Sequence, residues 1–348
     1  MRRYAILLFS LLISYTNSTA QDLPVSLVFL DTFHISGSSI RAIEVLEDSS
    51  LWFAGSGGKF GRISHGSLSV DTLAYQGSIP NFRAVAVTSK DVFLLSVEDP
   101  ALLYRIQGGT MDSEPELVYR ESHPKVFYDA MTFFDDKNGI AMGDPTENCL
   151  SVLLTEDGGL HWEKLPCTEL PEVHEGEAAF AASNSNVAVS GKRAWMVTGG
   201  KSARIFCSED LGKSWTAYHT PVRQGGTMTG IFTVDFYNEN RGIIMGGNWE
   251  VKSDRQASAA LTTDGGKSWK LVTEDQAPGY ISCVRYVPGS GGEELVGVST
   301  QGIFYSATGG SQWQKLSDRG FYSIRFADRE TAWVSTEQMI LKIKLKRK

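Results

Sequence analysis

Short apolar runs recur along almost the whole chain, alternating with polar positions at a period of two and broken by clusters of Gly, Asp, Ser and Lys. That pattern predicts β-strands joined by tight turns rather than helices. Seven of the runs open a repeating unit: Ile40 to Val45, Phe82 to Val87, Phe127 to Phe133, Ala178 to Ala182, Ile231 to Phe236, Ile281 to Val287 and Phe321 to Phe326. The chain therefore reads as all-β.

Between the runs one phrase repeats. It stands as Thr155-Glu-Asp-Gly-Gly-Leu-His-Trp162, Ser208-Glu-Asp-Leu-Gly-Lys-Ser-Trp215, Thr262-Thr-Asp-Gly-Gly-Lys-Ser-Trp269 and, with Thr308 in place of the acid, Ser306-Ala-Thr-Gly-Gly-Ser-Gln-Trp313. Asp157, Asp210 and Asp264 are placed to accept backbone N–H groups of their own turn, while Gly159, Gly212 and Gly266 supply the positive φ that closes it. Trp162, Trp215, Trp269 and Trp313 then begin the returning strand as apolar wedges. These residues read as structural. The pattern resembles the Asp-box (BNR-like) repeat of sialidases and other β-propellers, which implies a hairpin between the two outer strands of a blade. Spacing of about one four-stranded blade per repeat agrees with that resemblance.

The expectation is a seven-bladed β-propeller of four-stranded antiparallel blades. The last unit ends at Lys348 without an outer strand, and Val25 to Phe33 can supply one, so the ring would close by N-terminal strand pairing in the last blade and leave no open edge. The Lys342, Lys344, Lys346, Arg347 and Lys348 tail alternates with Ile343 and Leu345, the signature of a strand with one solvated face rather than of a membrane anchor.

Composition narrows the partners. Lys plus Arg number 33 against 40 Asp plus Glu, a net charge of −7, which disfavours nucleic acid. With 42% hydrophobic residues a sizeable core is available. Arg2 and Arg3, the apolar stretch Ala5 to Ile13 and the small residues Ser18-Thr19-Ala20 read as a signal peptide over 1–20, cleaved near Ala20. Residues 21–348 would then form a single propeller domain, monomeric, without a membrane span, and periplasmic or secreted. Export permits a disulfide, and Cys149 and Cys167 flank the Asp157-Gly158-Gly159 turn nearly symmetrically, so they are candidates to pair across two strands. Cys207 and Cys283 read as small buried hydrophobes.

Further phrases span most of the chain: Ser39-Ile-Arg-Ala42, Asn81-Phe-Arg-Ala84, Phe127-Tyr-Asp-Ala130, Met142-Gly-Asp-Pro145, Glu175-Gly-Glu-Ala-Ala-Phe-Ala-Ala-Ser183, Gly230-Ile-Phe232, Met245-Gly-Gly-Asn248, Gly279-Tyr280 and Gly320-Phe-Tyr-Ser323. In these the chain resembles secreted bacterial propellers related to the photosystem II stability and assembly factor family, often labelled "oxidoreductase" or "glycosyl hydrolase". Two positions depart from that family: Asn248 stands where an acid is usual and Ala178 where Gly is.

In a propeller the inner strands line a central channel and their loops form its mouths. Arg41, Arg83, Asp129 and Glu177 open successive inner strands and should meet at one mouth, joined by Asp144 and Arg204, with Tyr128, Trp249, Tyr280 and Tyr322 as aromatic walls. Such a funnel suits a peptide, protein or glycan ligand with a carboxylate. The competing view of each charged residue is a salt bridge between neighbouring blades.

Catalysis is the alternative. A sialidase-like glycoside hydrolase needs three arginines on one carboxylate, a Tyr beside a Glu, and an acid. Arg41 and Arg83 are available with Arg204, Arg285 or Arg325 as a third, and Tyr128 or Tyr322 as nucleophile, but in the wrong order along the chain, so no catalytic residue is assigned. Gly55-Ser-Gly-Gly58 precedes a strand rather than a helix and is no dinucleotide site. The six His are scattered, and Asp135 to Gly139 lacks the ligand alternation of a calcium loop, so no cofactor and no metal are expected.

Overall fold

The computed structural model describes residues 25–347. The leader expected over 1–20 lies outside the described residues. The fold is a β-propeller of antiparallel sheets around a common axis. Sheet 2 holds Phe82–Val87, Val92–Ser96, Ala101–Ile106 and Glu116–Glu121. Sheet 3 holds Tyr128–Phe133, Gly139–Gly143, Ser151–Thr155 and Glu163–Lys164, and sheet 4 holds Val187–Ser190, Arg193–Val197, Arg204–Ser208 and Thr216–His219. Sheet 6 holds Cys283–Tyr286, Leu295–Ser299, Gly302–Ser306 and Gln314–Ser317.

The other two sheets are larger, and they correct the expectation of seven separate blades to six sheets. Sheet 1 has six strands in the order Ser323–Phe326, Thr331–Arg347, Val25–Val45, Leu51–Gly55, Lys59–Ser64 and Ser67–Thr72. Its cause is a single 21-residue strand, Val25–Val45. The first part of that strand pairs with the C-terminal strand, Val25 opposite Arg347 and His34 opposite Met339. Its last part, Ile40 to Val45, pairs with Leu51–Gly55. The first and last units of the sequence pattern are thereby fused through one continuous backbone.

Sheet 5 gains its extra strands differently. To Thr229–Phe236, Gly242–Asn248, Ala259–Thr262 and Lys270–Leu271 it adds the two-residue pieces Glu177–Ala178 and Gly199–Gly200. The inner strand expected over Ala178 to Ala182 is therefore displaced: Glu177 and Ala178 pair with Gly200 and Gly199, and the inner strand of sheet 4 begins only at Val187.

Apolar clusters sit between consecutive sheets and hold the ring. Trp52 and Ala42 of sheet 1 pack with Phe82 and Leu94 of sheet 2, and Phe93 of sheet 2 packs with Tyr128 and Trp162 of sheet 3. Around the circle, Phe304 of sheet 6 meets Ile243 of sheet 5, and Val298 of sheet 6 meets Ile324 and Ile343 of sheet 1. Each such side chain contributes about 1.5–3 kcal/mol when fully buried.

The repeated turns close as their chemistry dictates. Gly159, Gly212, Gly266 and Gly310 have φ between +82° and +89°. Their N–H groups donate to Thr155, Ser208, Thr262 and Ser306 hydroxyls at 2.9–3.1 Å. Asp210 Oδ1 accepts the Ser214 N–H at 2.9 Å, and Asp264 Oδ1 that of Ser268 at 3.0 Å. In the fourth turn the Thr308 hydroxyl accepts the Gln312 N–H at 3.0 Å, filling the place of the carboxylate. The indole N–H groups of Trp215, Trp269 and Trp313 donate to glycine carbonyls of their own turns at 2.7–3.0 Å. Cys149 and Cys167 form a disulfide with Cα atoms 5.5 Å apart.

Candidate functional site

Three inner strands carry one extra residue each at their entry, and that residue is charged. In sheet 1 the pairing register shifts between Ile40 and Ala42, which leaves Arg41 bulged out of the ladder. Sheet 2 shifts between Phe82 and Ala84, freeing Arg83. In sheet 3 Met142 pairs with Ala130 and Gly143 with Tyr128, so Asp129 is passed over. Sheet 5 does the same to Phe232, between Ile231 and Thr233. A β-bulge turns a side chain away from the sheet face it would otherwise serve. Four such bulges turn Arg41, Arg83, Asp129 and Phe232 toward the axis.

The axis is plugged. The Ala182-Ser-Asn-Ser-Asn186 segment, just before the inner strand of sheet 4, runs through the channel and bonds to every other sheet. Asn184 accepts the Met131 N–H at 2.9 Å and donates to the Val85 carbonyl at 2.7 Å. The Ser183 hydroxyl donates to the Ser282 carbonyl at 2.6 Å, and that of Ser185 to Thr233 at 2.9 Å. Arg325 donates to the Asn184 carbonyl at 2.9 Å while holding Glu44 at 2.8 Å. Asn184 adopts φ +55°, a conformation that Asn tolerates better than most side chains. This polar run begins where the strand expected over Ala178 to Ala182 ends, and its signal was the absence of apolar alternation.

Arg41 and Arg83 stand over the plug as neighbours. Arg41 donates to the Ala182 carbonyl at 3.3 Å and Arg83 to the Ala181 carbonyl at 3.2 Å. The Arg41 guanidinium lies 4.2 Å from the centroid of the Tyr322 ring. Burial, and then the charge of Arg41, bring the Arg83 guanidinium down to about 10. Among the described residues no carboxylate comes within 4.0 Å of either arginine. Two like charges are thus held side by side without a carboxylate in direct contact among the described residues, and Glu98 and Asp129 act on Arg83 only from further away.

The acids beside them do not neutralise the pair. Asp129 is fully buried, and neither of its carboxyl oxygens has a hydrogen-bond partner. Burial and the neighbouring Asp144 hold it well above the usual carboxylate range. Asp144 accepts the Ala179 N–H at 2.7 Å and is pushed by burial to about 6.

Across the mouth the wall is aromatic. Phe180 stacks on Phe232 at 4.1 Å, Tyr280 meets Phe232 edge-on at 4.9 Å, and Ala182 completes the cluster. Burial raises the Tyr280 hydroxyl above its ordinary value. Trp249 is exposed beside Lys252, whose ammonium stands 4.5 Å from its ring. Phe180 and Phe232 were not singled out by sequence as site residues; their traces were the phrases Glu175 to Ser183 and Gly230-Ile-Phe232.

Other candidates lie elsewhere. Glu177 and Arg204 form a buried pair, with Arg204 Nη2 and Glu177 Oε2 at 2.6 Å, and the Thr198 hydroxyl also donates to Glu177 at 2.6 Å. Each therefore serves the other rather than the mouth. Tyr128 points outward: its hydroxyl donates to Glu121 at 2.7 Å, beside Tyr119 and Lys164. Asn248 caps its own loop by accepting the Glu250 N–H at 2.9 Å. The arginines considered as a third clamp are engaged, Arg204 by Glu177, Arg325 by Glu44 and Arg285 by Asp235 at 3.6 Å.

Comparison with known structures agrees on the fold. YCF48 bound to a D1 peptide is 15% identical with a TM-score of 0.64, over 92% of this chain and 95% of that one. YCF48 from Cyanidioschyzon merolae is 13% identical with a TM-score of 0.62, over 92% and 98%. A catalytically inactive virginiamycin B lyase from Staphylococcus aureus, solved with quinupristin, is 13% identical with a TM-score of 0.66, over 92% and 100%. At these identities the likeness is one of architecture, a propeller. The family model described as sortilin, neurotensin receptor 3, matches residues 150–280. No curated protein matches the chain. Among the described residues no helix is long and apolar enough to cross a membrane.

Proposed function

We propose that this protein is an exported, non-catalytic binding propeller, acting as a single domain after removal of its leader, that takes the C-terminal carboxylate of a peptide at the plugged mouth. The observation that carries the reading is the adjacent Arg41 and Arg83 pair, fixed through the plug carbonyls and lacking a carboxylate of its own. A bound carboxylate would relieve their mutual repulsion and gain charge-assisted hydrogen bonds. The aromatic wall of Phe180, Phe232, Tyr280 and Tyr322 offers an apolar neighbour side chain a place to pack. A YCF48 of similar fold has been solved with a D1 peptide, which favours a peptide over a sugar as the ligand class.

A hydrolase finds less support. The candidate third arginines are held by acids, and the Tyr128 hydroxyl faces Glu121 among outer strands. The test is capture of native envelope peptides on immobilised protein. Arg41→Ala with Arg83→Ala is expected to abolish capture while shifting Tm by only a few degrees. Unchanged capture, or collapse of the fold, would assign the two arginines to structure instead.

A further inference from the structure

A second cationic site opens beside the mouth, between sheets 5 and 6. A cleft of about 190 Å³ is lined by Lys252, Arg255 and Lys315 together with Gln301, Phe304 and Trp313. The chain as a whole is acidic, at −7, so three cations around one small space are a local inversion of its charge.

The acids nearby leave two of the three cations uncompensated. Asp254 is taken by Arg223. Asp275 accepts from Gln276 at 3.0 Å, and only its backbone carbonyl, at 3.5 Å, faces Arg255. Lys315 holds Asp318 at 2.6 Å on the solvent side, and its ammonium also stands 5.7 Å from the Phe304 ring centroid. Among the described residues Lys252 and Arg255 have no carboxylate within 4.0 Å.

The cleft is built rather than a chance meeting of long side chains. Asn248 caps the loop that bears Lys252, the Tyr280 N–H donates to the Lys252 carbonyl at 3.0 Å, and the Trp313 N–H donates to the Gln276 carbonyl at 3.2 Å. Tyr280, whose ring belongs to the aromatic wall of the mouth, holds the Lys252 carbonyl with its backbone N–H, so the loop that lines the cleft is tied to the mouth at this residue, and the Lys252 ammonium rests over the Trp249 ring.

We propose that this cleft is a second anion site, which takes the side-chain carboxylate of an acidic peptide segment leaving the mouth. The choice of a peptide rests on the mouth reading above; the anion site itself rests only on the cleft.

The test isolates the cleft with a fluorescein-labelled glutamate-rich peptide whose C-terminus is amidated, titrated by fluorescence anisotropy at low salt. Lys252→Gln and Arg255→Gln keep much of the apolar stems in place and are each expected to weaken binding about threefold, and together about tenfold. Replacement of the peptide's glutamates by glutamines should give the same loss in the parent and no further loss in the double variant. Arg41→Ala with Arg83→Ala should leave this amidated probe bound, so failure of the mouth and failure of the cleft give different results. Equal affinity of the double variant and the parent, or of the glutamate and glutamine peptides, would overturn the proposal. So would preferential binding of a polyuronate over the acidic peptide.

Discussion

A single inserted residue decides where Arg41, Arg83 and Asp129 point. In an uninterrupted ladder each would alternate into a sheet face with its neighbours; bulged, each meets the axis instead. The phrases Ser-Ile-Arg-Ala, Asn-Phe-Arg-Ala and Phe-Tyr-Asp-Ala were legible as a set, because an ionisable residue between apolar and small ones breaks the period of two. The destination of Glu177 and Arg204 was not legible, since their mutual contact depends on a short strand that joins sheet 5 rather than sheet 4. Asp144 makes the residue scale testable by pH. Its carboxyl, raised from 3.8 to about 6, binds a proton in the folded protein that the unfolded chain has released. Stability from this group is therefore highest below pH 4 and falls as pH rises through 6, by about 3 kcal/mol in all. Asp144→Asn should reduce that slope, leaving the part due to the buried Asp129, while keeping an acceptor for Ala179, as read from urea midpoints between pH 4.5 and 7.5.

At the scale of elements, the repeated turns were readable because each is a local device, with its acceptor, its glycine and its donor within eight residues of sequence. The plug was not, because its partners come from all the other sheets and no local pattern announces them. Asn184 is the test of its importance. Asn184→Ala leaves the buried Met131 N–H and Val85 carbonyl without their partner, at a cost of about 2–4 kcal/mol. Chemical denaturation should show that loss with little change in m-value, whereas a loss under about 0.5 kcal/mol would mean that the segment only fills space.

The whole molecule depends on the strand Val25–Val45, which ties the chain's beginning to its end and then continues into the next set of strands. This continuity merges into one sheet what the sequence pattern divides into two units, a merger hidden from spacing because Ser36-Gly37-Ser38-Ser39, with Gly37 at φ +70°, reads locally as a turn while the backbone runs on through it. Removal of residues 25–34 would expose the backbone edge of Met339 to Arg347. Such a variant is expected to lose stability and to self-associate in sedimentation velocity, while the full chain stays monomeric.

On the proposed function, the ring serves by bringing Arg41 and Arg83, from different sheets, to one opening. The most direct measurement of that claim is the affinity of one short peptide in two forms, with a free and with an amidated C-terminal carboxylate, by isothermal titration calorimetry. Parent protein should bind the free acid at least about tenfold more tightly, as charge-assisted hydrogen bonds of about 1.5–3 kcal/mol require, and Arg41→Ala with Arg83→Ala should erase the difference. Equal affinity for both forms in the parent, or a preference that persists in the double variant, would contradict the account.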